Sequence, residues 1–305
     1  MAESGFPFGM GWLPDYPDFR DYTIEHDTIA PRMKAIGESS SVKAMLTKVG
    51  VVGRTKAAVP ASVDLREWCS PVEDQDKIGS CTAHAGVGMV EYFEKRAFGK
   101  HIDASRLFLY KVTRNMLHWT GDTGAFLRTT MGALTVFGVP PEEYWPYKVT
   151  GFDKEPPAFC YAFAQNYQAI SFYRLDPPGA TSAQILKQIR SNLAAGLPLM
   201  FGFTVYSSIS QAASTGKIPY PTADEKVVGG HAVMAVGYDD SLKIKNAEPG
   251  GPETKGAVLL RNSWGTGWGS EGYGWLPYEY VLTGLAEDWW SLIKNEWVDT
   301  GAFKL

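Results

Sequence analysis

The stretch Asn262-Ser263-Trp264-Gly265-Thr266-Gly267-Trp268-Gly269 constrains this chain more than any other. Two tryptophans and three glycines around one amide side chain are too specific a grouping for an ordinary strand and turn. An asparagine fixed in such surroundings can hold a hydrogen-bond partner in one orientation. Upstream lie a histidine in Gly229-Gly230-His231-Ala232-Val233 and a cysteine in Gln75-Asp76-Lys77-Ile78-Gly79-Ser80-Cys81, so the polar side chains follow one another as Gln, Cys, His, Asn. Taken singly, each has a blander reading. A buried cysteine is usually structural, a strand histidine is usually satisfied by backbone, and the Asn262 tract can be a turn packed by tryptophans. Their conjunction points to nucleophilic chemistry at a thiol.

With 305 residues, 45% of them hydrophobic and 13% aromatic, the chain can bury a large core as one compact domain or two closely packed subdomains. A net charge of −4 and a pI near 5.8 give no electrostatic case for nucleic acid or an anionic membrane surface as partner. No apolar run is long enough to span a bilayer, since Leu193 to Val205 is broken by Gly196, Pro198 and Gly202. The start, Met1 to Phe8, has neither a basic region nor a continuous apolar one, so no secretory signal is expected. The compartment stays open between the cytoplasm and export by a route not visible in sequence. Of the three cysteines, Cys69, Cys81 and Cys160, a reactive Cys81 leaves room for at most one disulfide. His26, His101 and His118 show no metal-ligand spacing, and no metal or cofactor is expected.

Residues 1–58 read as an N-terminal extension, rich in Pro, Gly and aromatics from Phe6 to Tyr22 and polar from Arg32 to Lys56; a domain of residues 59–305 follows. Its first half is helical. Apolar spacing predicts helices over Cys81–Phe98, stopped by Gly99, over Ala104–Asn115 after an Asp103 cap, and over Ala125–Phe137. Another is expected from Ser182 to Ala195, opened by a Thr181-Ser182-Ala183-Gln184 capping box. Strands are expected at Leu199–Val205, His231–Tyr238, Ala257–Asn262 and Tyr273–Leu276. Helices first and strands later imply an α+β fold, with a helical lobe carrying Cys81 facing a β-rich lobe carrying His231 and Asn262.

At a helix N-terminus and beside an imidazolium, Cys81 would gain two influences that favour its thiolate. Asn262 would orient His231, Trp264 would cover their hydrogen bond, and the Gln75 amide with the Cys81 N–H would stabilise an oxyanion. These motifs, with Gly237-Tyr238, make residues 60 to the C-terminus resemble the papain-like cysteine peptidases. The resemblance implies a two-lobed fold and hydrolysis of peptide bonds through an acyl-enzyme. It makes Cys81 the nucleophile, His231 the general base and acid, Asn262 the orienting group and Gln75 the oxyanion donor. Peptides or proteins are the implied substrates, pairing with Gly124 and Ala125, with Phe126, Leu127, Gly202 and Ala232 lining a roomy apolar pocket and Trp264 and Trp268 beside the cleft. The familiar disulfide is missing, since Ile78 and Asp122 stand at its two positions, and Thr82 replaces an aromatic residue. No two-histidine blocking loop appears, so cleavage within peptides is expected. The span Asp239–Gly256 is long, and a loop projecting beside His231 and Asn262 is expected.

The extension is expected to act as a propeptide lying in the cleft, an intramolecular inhibitor, with a structural strap as the alternative. Trp12, Leu13, Tyr16, Phe19 and Tyr22 are too apolar to be left in water and must pack on something. Two other functions fit part of the pattern: amide acyl transfer of the transglutaminase type, against which the asparagine argues, and a catalytically idle binding protein on the same scaffold. His84 is a weaker candidate base, and the tryptophans of Asp288-Trp289-Trp290 read as core.

Overall fold

In the computed structural model, residues 7–35, 37–53, 59–167 and 171–305 are described. The chain opens as an extended strap containing strand β1 (Trp12–Leu13), followed by helices α1 (Pro31–Ala35) and α2 (Val42–Lys48) and strand β2 (Ser62–Asp64). The helical lobe comprises α3 (Cys81–Phe98), α4 (Arg106–Met116), the short strand β3 (Ala125–Phe126), α5 (Leu127–Val136) and α6 (Ala158–Ala164). The second half supplies β4 (Ser171–Arg174), α7 (Ser182–Ala194), β5 (Leu199–Tyr206), β6 (Val227–Lys245), β7 (Glu253–Arg261), β8 (Tyr273–Pro277), α8 (Tyr278–Leu282), β9 (Ala286–Ile293) and α9 (Asn295–Asp299). Among the described residues these strands form a seven-stranded sheet in the order β4-β9-β5-β6-β7-β8, with β2 also on β6. The architecture is α+β, with helices and sheet segregated.

Local chemistry accounts for most boundaries. Helix α3 stops where Gly99 takes φ +73°. At the start of α7, Gln184 N–H donates to Thr181 Oγ1 (3.3 Å) and Thr181 N–H to Gln184 Oε1 (2.8 Å), the reciprocal capping pair. Helix α4 starts later than expected because Ser105, not Asp103, caps it: Ser105 Oγ accepts from Phe108 N–H at 3.1 Å, while Asp103 pairs with Arg106 at 3.0 Å. Residues 125 and 126, expected to open the next helix, are instead β3, paired in parallel with Trp12 and Leu13. The pair Trp289-Trp290 lies in a strand, β9, and both side chains are buried because both faces of the sheet are covered there.

Within the extension, the polar reading of residues 32–56 needs correction: Ser41 caps α2, and Val42, Met45 and Leu46 are buried. Tyr16 and Phe19 also differ from expectation, being 89% and 92% exposed, whereas Trp12 is buried. Cys69, Cys81 and Cys160 are all free thiols, so no disulfide forms. The span Asp239–Gly256 is a hairpin continuing β6 into β7, with Ile244 opposite Thr254, so its tip lies at the far end of β6 from His231 instead of beside it. The expected start-of-chain reading at residues 1–6 and the junction at 54–58 lie outside the described residues. Among the described residues, no helix is long and apolar enough to cross a membrane.

Candidate active site

Cys81 is the first residue of α3, presented by a loop whose backbone is tied to Asp122. Gly79 N–H donates to Asp122 Oδ1 at 2.8 Å, and Tyr110 O–H donates to the same oxygen at 2.5 Å. A carboxylate thus holds by hydrogen bonds the place where the resemblance leads one to look for a bridge. The Cys81 sulfur is fully buried and accepts backbone N–H groups from Ala232 and Gly11. Burial pushes its thiol up to about 11, outweighing those donors. The helix terminus alone does not produce a thiolate in this covered state.

His231 lies near the start of β6, opposite Phe203 of β5, and Asn262 follows the last residue of β7. Adjacent antiparallel strands thereby bring the two side chains together, with His231 Nε2 2.7 Å from Asn262 Oδ1. An amide oxygen accepts, so this contact assigns the ring hydrogen to Nε2 and leaves Nδ1 as the basic nitrogen. Nδ1 has no hydrogen-bond partner among the described residues. Trp264 stacks on the imidazole at 4.4 Å between ring centres, and Trp268 meets Trp264 edge-on at 5.3 Å. Burial pulls the His231 pKa down to about 4, against the raising effect of Asn262. Cys81 and His231 are therefore both neutral at ordinary pH while covered.

Gln75 is completely buried, its Oε1 accepting from Ser263 Oγ at 2.5 Å. That bond turns the Gln75 NH2 towards Gly9 O (3.0 Å) and Ile78 O (2.9 Å). Tyr147 O–H supports the same residue through Gln75 O at 2.8 Å and lies 2.8 Å from Ser80 Oγ. Neither Ser263 nor Tyr147 stood out in the sequence as part of this site; the position of Ser263 directly after Asn262 was the available signal. His84 is held inside the lobe with Nδ1 3.1 Å from Ser80 O, and burial keeps its pKa near about 3.

The extension runs through these groups. Phe8 stacks on Trp264 at 4.9 Å, and Gly9 O accepts from both the Gln75 amide and Trp264 Nε1 (3.2 Å). Gly11 N–H points at the Cys81 sulfur, and Gly11 O accepts from Ala125 N–H at 2.8 Å. Gly124, at φ +73°, must lack a side chain here, because a Cβ would stand 2.2 Å from Gly11 O. The Trp12 indole packs on Gly202, where a Cβ would lie 1.9 Å from the ring, and its Nε1 donates to Asp288 Oδ2 at 3.2 Å. Phe126 pairs with Leu13, Ala232 is buried beside the thiol, and Leu127 is buried at the start of α5. Asp288, a carboxylate inside a Trp-rich strand, is the site residue that sequence reasoning passed over. Among the described residues, no group of three or more His, Cys, Asp or Glu is placed to hold a metal.

The profile described as "Papain family cysteine protease" matches residues 59–298. An uncharacterized peptidase C1-like protein of Acanthamoeba polyphaga mimivirus is 30% identical over 296 residues, 95% of this chain and 88% of its own length. Among solved structures, xylellain, a cysteine protease from Xylella fastidiosa, is 31% identical with a TM-score of 0.71, over 94% of this chain and 97% of its own. Both spans are too long to leave out the extension. Digestive procathepsin L 3 of Tenebrio molitor, 21% identical with a TM-score of 0.59 over 78% of this chain and 71% of its own, shares the fold.

Proposed function

This chain belongs to the papain family of cysteine proteases and is a cysteine-type peptidase, and on that premise we propose that Cys81, His231, Asn262 and Gln75 carry the reaction. The observation that carries the reading is the 2.7 Å His231–Asn262 contact under Trp264, which leaves His231 Nδ1 unpartnered among the described residues, together with a buried thiol at the head of α3. His231 Nδ1 takes the Cys81 proton, the sulfur attacks the substrate carbonyl, and the developing oxyanion is met by the Gln75 amide and the Cys81 N–H. The imidazolium then protonates the leaving amine, and water, activated by the same imidazole, hydrolyses the thioester. Asn262 holds the ring in the tautomer this needs.

Residues 7–13 are proposed to be the intramolecular inhibitor of this chemistry. Gly9 O uses the oxyanion donor, and the thiol meets the Gly11 N–H instead of a carbonyl carbon, so the segment fills the cleft without presenting an electrophile. Water exclusion further keeps Cys81 and His231 neutral. Hydrolysis of an internally quenched peptide set tests the assignment: the folded Cys81→Ala chain is expected to show none, and turnover persisting in it refutes the nucleophile.

A further inference from the structure

The pocket that Trp12 fills is not purely apolar at its end. Asp288 is fully buried there, and its two carboxylate oxygens face different ways. Oδ1 accepts from Trp290 Nε1 at 2.7 Å and lies 3.3 Å from Arg174 Nη1, while Oδ2 accepts from the Trp12 indole at 3.2 Å. The backbone is specialised too: Asp288 sits at φ +64°, and its N–H is held by Asp176 Oδ2 at 2.8 Å. One acceptor is therefore committed to the protein and the other points to whatever occupies the pocket. Leaving that oxygen opposite a hydrocarbon would strand a buried acceptor, which is costly, whereas an N–H donor meeting it satisfies that acceptor.

We propose that Asp288 is a specificity-determining residue, and that substrates place in this pocket, which the family resemblance assigns to the second residue before the scissile bond, a large flat side chain ending in an N–H donor, tryptophan before phenylalanine or leucine. Trp12 is then an internal copy of the preferred side chain. This inference rests on the peptidase reading, and it narrows the apolar preference expected from Gly202 and Ala232 to one with a polar end. Asn is the informative replacement at Asp288. It tolerates a left-handed backbone, and its carbonyl oxygen would remain with the Arg174 and Trp290 donors. The NH2 would then face the pocket, so that donor meets donor.

The test uses the full-length chain carrying Trp12→Ala, which empties the pocket, with folding checked by circular dichroism. Peptides differing only in Trp, Phe or Leu at the pocket position are compared for kcat/KM, and uncleavable versions for Kd by calorimetry. Trp is expected to exceed Phe by at least about tenfold in both, and the ratio should fall to about one or below in Trp12→Ala/Asp288→Asn. Equal or better use of Phe or Leu overturns the proposal, as does an unchanged ratio in the folded double variant. Because Kd reads the pocket without turnover, absence of cleavage with a tryptophan preference in binding would refute the peptidase reading and support the pocket. If the double variant does not fold, the Trp-to-Phe ratio of the single variant still decides.

Discussion

Gly11→Ala is the perturbation that most cleanly separates the extension from the groups proposed to be catalytic, because it changes neither lobe. A Cβ on Gly11 would stand 2.1 Å from Gly79 O and 2.6 Å from both Gly79 C and Cα. These are backbone atoms of the loop tied to Asp122, so no flexible side chain can swing away. The extension must lift, and it gives up the Gly9 contacts with Gln75 and Trp264 and the Gly11 contacts with Ala125 and Cys81. Overpacking of this kind costs about 1–3 kcal/mol, which raises the uncovered population about 5- to 150-fold. The assay is the rate of Cys81 alkylation by iodoacetamide, with Cys81→Ala as the background for Cys69 and Cys160. The pH dependence should move as well. Burial holds the covered thiol near about 11 and His231 near about 4, and water returning to the cleft favours the thiolate and imidazolium, so labelling of Gly11→Ala should begin at lower pH. An unchanged rate and pH profile in a folded Gly11→Ala chain would refute the cleft-covering account.

Asn262→Ala should lower kcat/KM about 10- to 150-fold through loss of one charge-assisted orienting bond, without the complete loss expected of Cys81→Ala; steady-state kinetics on one peptide checks this. Asp122→Ala should cost about 1–3 kcal/mol in urea unfolding, since Gly79 N–H and Tyr110 O–H lose their shared acceptor. Burial pushes the Asp288 pKa from 3.8 up to about 7, so the folded state holds this proton more tightly than the unfolded one. Its contribution is fully present below about 4 and is lost as pH rises to about 7. Relative to Asp288→Asn, the native chain should therefore lose stability across that window in denaturant titrations, and a pH-independent difference would contradict the burial of an ionisable Asp288.

The groups proposed to carry the reaction were legible because each sits in a local signature: Cys81 at the first residue of a helix ended by Gly99, His231 between glycines and apolar strand residues, Asn262 ahead of the tryptophans. The Thr181 capping box was equally local. What escaped depends on partners distant in sequence. Asp288 reads as an oddity in a tryptophan run until Arg174, Asp176 and Trp12 converge on it from other parts of the chain. The exposure of Tyr16 and Phe19 could not be read from composition, because hydrophobicity says that a cluster should pack without saying which members reach the cleft. Helix α2 is too short to show periodicity, and its burial of Met45 and Leu46 is a tertiary fact.

The central claim, that Cys81 is the nucleophile of a peptide-cleaving site, is tested most directly by treating the full-length Gly11→Ala chain with a peptidyl chloromethyl ketone and locating the adduct by mass spectrometry. The account predicts one equivalent bound at Cys81, with loss of all peptide hydrolysis. Modification at Cys69 or Cys160 instead, or hydrolysis that survives full labelling of Cys81, would contradict it.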